Sequence, residues 1–295
     1  MENISRHERS RAAMLGFAIG DALGATTEFM EPEEIREEYG LLTEIVGGGW
    51  LDLTPGETTD DTAMMLCVAR SLAESSGKPD YRDMAERLLE WLKSDPRDIG
   101  TACRTGLCTY RDTGSLINGD DTSRGNGGLL RCLPFVVAGL DAGDALANVR
   151  LTHNSPWQDR AVTSYMAIVQ AGLDGADRES VIACVQREGM QGEGICSNRG
   201  EVMITLSSAL HWFSTTAGFE ECVIAAANAG NDSDSVAAIA GSIAGACYGP
   251  AAIPQRWLGV LDQRVRREVT DLASVLTVTD VKQGGPYKSC DQKMT

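Results

Sequence analysis

Histidine is scarce in this chain: His7, His153 and His211 are the only three among 295 residues, and the nine cysteines form no CxxC pair. No zinc site can therefore be assembled from nitrogen and sulfur donors, and any bound metal must be held by oxygen. Basic residues are also few, with 26 Lys and Arg against 42 Asp and Glu and a formal net charge of -16. A partner held mainly by phosphate contacts needs a basic face that releases counterions, so nucleic acid is excluded as the expected partner. No apolar run reaches the ~18 residues of a membrane span, and residues 1–10 lack the basic-then-apolar order of a signal peptide. A cytoplasmic protein without a transmembrane segment is expected. The cysteines are odd in number and mostly sit singly in apolar surroundings such as Met65-Leu66-Cys67-Val68, which reads as reduced core residues. Alternating β-branched runs are rare, so no sheet is expected.

What is present points to a packed helical protein. Hydrophobic residues make up 43% and charged residues 23%, near the average for a globular chain. Apolar residues recur at helical spacing over 60–74, 81–93, 159–173 and 264–276, and the pattern predicts an all-α fold of about a dozen helices. Glycines concentrate between helices or in the small-residue helices around 16–24 and 241–245, where they let backbones approach closely. No break in composition divides the chain, and the Gly/Asp/Ser/Asn-rich stretch 113–128 is too short to separate domains. One domain over 1–281 is expected, with a flexible tail over 282–295.

Two clusters carry the chemistry. Thr58-Thr59-Asp60-Asp61-Thr62 precedes an apolar-periodic helix predicted from Ala63, and Asn231-Asp232-Ser233-Asp234-Ser235 precedes a small-residue helix predicted over 236–247. In each, a hydroxyl and two carboxylates crowd into one turn, where their repulsion is costly without a cation. Taken singly, either is equally a helix cap, since Thr, Ser and Asp suit that position and acids suit the positive end of the helix dipole. As a pair they offer six hard oxygen donors, the set that two Mg²⁺ or Mn²⁺ ions use.

The segments Gly16-Phe17-Ala18-Ile19-Gly20-Asp21-Ala22-Leu23-Gly24-Ala25, Glu28, Thr59-Asp60-Asp61-Thr62, Gly125-Asn126-Gly127-Gly128 and Asp232-Ser233-Asp234-Ser235 occur in this order across nearly the whole chain. They resemble the motifs of the ADP-ribosylglycohydrolase family. Segments 47–50, 91–94 and 253–258 most resemble its dinitrogenase reductase-activating members. The resemblance implies a single-domain orthogonal helical fold with a dinuclear centre, in which Thr59, Asp60, Asp61, Asp232, Asp234 and Ser235 hold two divalent cations, Mn²⁺ or Mg²⁺. It also implies hydrolysis of the N-glycosidic bond between ADP-ribose and a protein arginine. An ADP-ribosylated protein, with dinitrogenase reductase one candidate, is then the partner and ADP-ribose the product ligand. Serine-linked, acetyl-linked or free-guanidine acceptors, or an inactive ADP-ribose-binding relative, are the alternatives.

By the same resemblance Glu28, Asp60, Asp61 and Asp98 are catalytic. Glu28 lies over the metals and gates entry, although by itself it reads as a solvated acid. Asp98 meets the substrate guanidinium, which a carboxylate pairs in bidentate fashion; on residue type alone it is a turn former after Pro96. Gly125, Asn126, Gly127 and Gly128 take the pyrophosphate on backbone N–H groups, and His153 lies near ADP-ribose. Four positions depart from the family pattern: Ser235 replaces Thr, Asn231 replaces Gly, Thr101 replaces Asn, and Glu201 stands where an aromatic residue is expected against adenine. Trp50, Trp212 and Phe213 offer stacking surfaces or core packing.

Overall fold

A computed structural model describes residues 4–189 and 200–283. Among them are fourteen α-helices: α1 Arg6–Gly24, α2 Pro32–Tyr39, α3 Asp60–Glu74, α4 Tyr81–Lys93, α5 Thr101–Thr113, α6 Leu133–Val137, α7 Ala142–Val149, α8 Pro156–Leu173, α9 Arg178–Arg187, α10 Val202–Thr215, α11 Phe219–Ala227, α12 Ser233–Tyr248, α13 Gln255–Val260 and α14 Gln263–Gln283. Only isolated bridges, and no strand, occur among the described residues. The fold is all-α, as the periodicity predicts. No helix among the described residues is long and apolar enough to cross a membrane.

Local chemistry explains the helix starts. The Ser5 hydroxyl and the Glu8 carboxylate close a reciprocal capping box on α1, satisfying N–H groups that the first turn leaves unpaired. Asp80 caps α4 by accepting from the N–H groups of Arg82 and Asp83. Both acidic clusters lie within or at the very start of their helices: α3 starts at Asp60 rather than Ala63, and α12 at Ser233 rather than Val236. The periodic pattern marks where apolar burial begins, whereas the helix itself begins where caps and dipole allow. Likewise α8 begins at Pro156, whose missing N–H costs nothing in a first turn. The 125–128 loop feeds a three-residue 3₁₀ turn, Leu129–Arg131, instead of a full helix, and α6, with Pro134 in its first turn, follows after Cys132. The expected tail is helical through Gln283; residues 284–295 lie outside the described residues.

Helices α1 and α12 form the centre of the core, antiparallel and with their backbones touching. Ala12, Gly16, Gly20 and Gly24 face Gly245, Gly241, Ala237 and Ser233 in reverse order. A Cβ at Gly16 would stand 2.2 Å from the Gly241 carbonyl oxygen, one at Gly20 2.0 Å from that of Ala237, and one at Gly24 2.4 Å from that of Ser233. Both helices are buried almost throughout. A smaller apolar cluster, including Met64, Leu88, Cys103 and Tyr110, joins α3, α4 and α5. The seven described cysteines are free, and six of them are buried.

This contact predicts a contrast between two glycines. Gly20→Val forces the central helices apart and lowers the unfolding free energy by about 3 kcal/mol or more. Gly259→Ala, in α13 with nothing within 4 Å of the added methyl, is neutral or stabilising by up to ~1 kcal/mol. Urea unfolding of both variants checks the pair; equal midpoints would contradict the packing account.

Candidate active site

The carboxyl-terminal end of α1 gathers the two acidic clusters. Asp21, fully buried, accepts from the N–H of Thr59 at 3.0 Å, from the N–H of Thr62 at 3.1 Å and from the Thr62 hydroxyl. It thereby pins the start of α3 against α1. On the other side Ser233 donates to the Gly24 carbonyl at 2.9 Å, and Thr27 donates to the Ala227 carbonyl at 2.6 Å. The chain after α1 is then laced to the start of α12 by two backbone bonds, Phe29 N–H to Asn231 O at 2.6 Å and Asn231 N–H to Met30 O at 2.8 Å. Asn231 has φ +59°, a left-handed conformation that Asn tolerates best after Gly. Its departure from the family's glycine is therefore accommodated.

Between these ends lies a cavity of about 500 Å³. Every metal, catalytic and ADP-ribose-binding candidate read from the sequence lines it except Thr59 and Gly128, whereas the aromatic candidates Trp50, Trp212 and Phe213 do not. The Thr59 hydroxyl sits just behind, accepting from Asp61 N–H at 3.3 Å and 3.5 Å from Asp234 Oδ2, so the cap and the cluster readings of Thr59 coincide in one atom. Gly128 packs into the wall, where a Cβ would meet Gln158 Oε1 and Val149 at 2.9 Å. The Ser235 hydroxyl donates to Asp61 Oδ2 at 2.9 Å, joining the two clusters directly. Asp232 Oδ2 accepts from Asn126 Nδ2 at 2.8 Å and from Thr205 Oγ1 at 3.2 Å. Asn126 thus addresses a carboxylate with its side chain.

Among the described residues, Glu28, Asp232 and Asp234 each bring one carboxylate oxygen within 4.8 Å of the others. Asp234 Oδ1 is buried and has no hydrogen-bond partner. No Lys or Arg is among the described residues that line the cavity. Burial therefore works against every carboxylate here. It pushes Glu28 up to about 8, a shift opposed by the Trp50 N–H and reinforced by Asp232, Asp98 and Asp60. Burial also raises Asp60 to about 8, with Asp98, Asp21 and Asp232 adding repulsion, and Asp232 to about 6. Asp61 and Asp234 are likewise driven well above the usual carboxylate range by burial and by their acidic neighbours. An unpartnered buried oxygen among crowded hard donors fits a divalent cation, which removes this repulsion without protons.

The rest of the wall sets direction. Asp98 projects from the segment before α5, steadied by the Ile99 N–H at 2.7 Å, while the turn before it is made by Asp95 with φ +55°. Asp98 is therefore cavity wall and not the turn former of the plainer reading. His153 is buried beneath the 125–128 loop, and burial with the nearby Arg131 charge lowers its pKa to about 3. Phe213 is fully buried core, whereas Trp50 stands half-exposed at the mouth, donates from Nε1 to Glu28 Oε2 at 2.5 Å and packs on Phe29 with ring centroids 5.3 Å apart. Glu201 pairs with Arg124 at 3.2 Å, and the Arg124 guanidinium lies 4.9 Å over the Trp157 ring. Two contributors were given no role by the sequence reading. Asp21 stood within the first motif segment without a role of its own, and Thr205 carried no local signal at all.

Comparison with known proteins agrees with this geometry. The family model described as ADP-ribosylglycohydrolase matches residues 2–285. The ADP-ribosyl-[dinitrogen reductase] glycohydrolase of Rhodospirillum rubrum is 39% identical over 91% of this chain and 95% of its own. An ADP-ribosylarginine hydrolase of Pseudomonas putida is 33% identical over 85% of this chain and 73% of its own. A solved structure described as an ADP-ribosylglycohydrolase-related protein complex superposes with a TM-score of 0.82 at 33% identity, covering 94% of this chain and 99% of that one. With its acidic clusters converging on one cavity inside this helical frame, the chain belongs to the ADP-ribosylglycohydrolase family.

Proposed function

We propose that this protein hydrolyses the N-glycosidic bond between ADP-ribose and an arginine side chain, using two divalent cations, Mn²⁺ or Mg²⁺. The observation that carries the reading is a cavity that joins a buried all-oxygen carboxylate cluster, a glycine loop and a single carboxylate, Asp98, at its wall. The names of the relatives from Rhodospirillum rubrum and Pseudomonas putida support the arginine acceptor. Thr59, Asp60, Asp61, Asp232, Asp234 and Ser235 would hold the cations, with Glu28 close enough to join or cover them. Bound there, such ions supply Lewis-acid polarisation and an acidified water. The protein's own groups do the rest. Asp98 accepts from the guanidinium, Gly125, Asn126 and Gly127 seat the diphosphate, and Glu28, held by Trp50, closes the mouth and manages a proton near the reacting carbon.

Three outcomes follow from this arrangement. First, chelation abolishes turnover, and Mn²⁺ or Mg²⁺ restores it; full activity in protein shown metal-free by elemental analysis would refute the oxygen-ligand centre. Within this test, Asp60→Ala and Asp234→Ala each lower kcat by about a hundredfold or more, and their combination is far from additive. A variant with normal rate and normal metal content would reduce that carboxylate to a helix cap.

Second, Mn²⁺ affinity falls as pH drops from about 8 towards about 6, because Glu28 and Asp60 hold protons up to about 8 and Asp232 up to about 6 without a cation. Metal binding displaces those protons. Calorimetry in buffers of different ionisation enthalpy should therefore show net proton release; none would contradict the account.

Third, Asp98→Ala removes a charge-assisted contact worth roughly 1.5–3 kcal/mol, about ten- to a hundredfold in specificity. In protein shown to be folded and metal-loaded, release of ADP-ribose from arginine falls by that factor, while turnover of serine-linked or acetyl-linked ADP-ribose falls less. Equal losses on all acceptors would remove the physical basis for arginine.

A further inference from the structure

Arg131 is a buried cation that makes no ion pair among the described residues. It is 0% exposed, and its guanidinium donates to Asn148 Oδ1 at 2.7 Å, the Gly127 carbonyl at 2.8 Å, Thr152 Oγ1 at 2.7 Å, and the Asn148 and Val149 carbonyls at 3.3 and 3.4 Å. Every one of these acceptors is neutral. A guanidinium is a permanent cation, and burying one without opposite charge is expensive even when its hydrogen bonds are made. An anion at the adjacent wall would complete the arrangement, and Gly127, whose carbonyl Arg131 holds, is part of that wall.

Two observations beyond the charge point the same way. A peptide unit is planar and trans, so turning the Gly127 carbonyl to Arg131 sends the Gly128 N–H to the opposite side. Neither the Gly127 nor the Gly128 N–H has a backbone acceptor among the described residues. Thr152 Oγ1, which accepts from Arg131, also lies 2.7 Å from His153 Nδ1. With the hydroxyl hydrogen directed to that nitrogen, the ring's own proton sits on Nε2. His153 is 1% exposed yet lines the cavity, and Nε2 lies 3.0 Å from where a Gly125 Cβ would stand.

We propose that Arg131, which does not itself line the cavity, is the positioning residue of its loop end. It holds the 125–128 loop, fixes through Thr152 the tautomer in which His153 offers Nε2–H to the ligand, and lends this end the positive charge that seats a diphosphate. The proposal rests on the reading of the site as one for ADP-ribose with its diphosphate at the loop.

The test is calorimetric binding to the full chain at fixed Mg²⁺, with inorganic pyrophosphate, ADP-ribose and adenosine as probes. Arg131→Gln weakens pyrophosphate and ADP-ribose by at least about tenfold, leaves adenosine unchanged, and Arg131→Lys recovers most of the loss. Unchanged pyrophosphate affinity in Arg131→Gln, or equal losses for pyrophosphate and adenosine, would overturn the proposal. Should that variant fail to fold, ¹⁵N spectra of the unmodified protein decide: a pyrrole-type Nε2 on His153 from pH ~5 to ~8 is expected, Thr152→Val abolishes that preference, and a pyrrole-type Nδ1 in the parent overturns the relay. A parent that binds pyrophosphate but not ADP-ribose would refute the nucleotide reading and leave the role of Arg131 standing.

Discussion

The site depends on how closely α1 and α12 approach. Glycine every four residues along α1 meets small residues along α12, so that backbone carbonyls sit where side chains would ordinarily stand. That contact carries the start of α12 to the end of α1, and Gly24 is the position at which the Asp232-Ser233-Asp234-Ser235 turn comes to rest. The same helix end holds the other cluster, because Asp21 accepts the first N–H groups of α3. A methyl at any of the three α1 glycines would move one acidic cluster relative to the other, since close-packed interiors transmit strain instead of absorbing it.

The second organising feature is electrostatic. Six acids, Glu28, Asp60, Asp61, Asp98, Asp232 and Asp234, face one cavity without a basic neighbour in its described wall. Burial and repulsion would leave most of them partly protonated, a poor state for groups that serve by accepting. The structure meets part of this cost with neutral donors: the Ser235 hydroxyl on Asp61, the Asn126 amide and Thr205 hydroxyl on Asp232, the Trp50 indole on Glu28. Asp234 Oδ1 is left without any. The opposite wall carries the 125–127 loop, with the Arg131 guanidinium held to the Gly127 carbonyl behind it. A ligand that is cationic at one end and anionic near the other matches this polarity.

The departures from the family pattern take different physical forms. Asn231 occupies a left-handed position at which its short polar side chain is tolerated. Ser235 keeps the hydroxyl that matters and uses it on Asp61. Glu201 is drawn into an ion pair with Arg124, whose guanidinium lies over Trp157, so the cavity's rim near Gly200 is polar where an aromatic residue was expected.

Much of this was legible in the residues alone. Helical periodicity marked α4 to both its observed ends and α3 to its observed last residue, because an amphipathic stripe is a local property of the chain. Two hydroxyl-and-carboxylate turns of matched composition marked the acidic site, because crowding of like charge within one turn needs no tertiary information to be costly. The first residues of α3 and α12 were placed too late, since caps and dipoles, not apolar spacing, decide where a helix starts. Only the folded chain showed that Asp98 faces the cavity and is not the turn, that Asn126 serves Asp232, that Trp50 holds Glu28, and that Arg131 is buried with no ion-pair partner among the described residues. Each of these joins residues at least 17 positions apart or depends on which way a loop faces. Residue types and short spacings determine helices, caps and clusters; the distances that turn them into a site are set by packing between segments that the sequence keeps far apart.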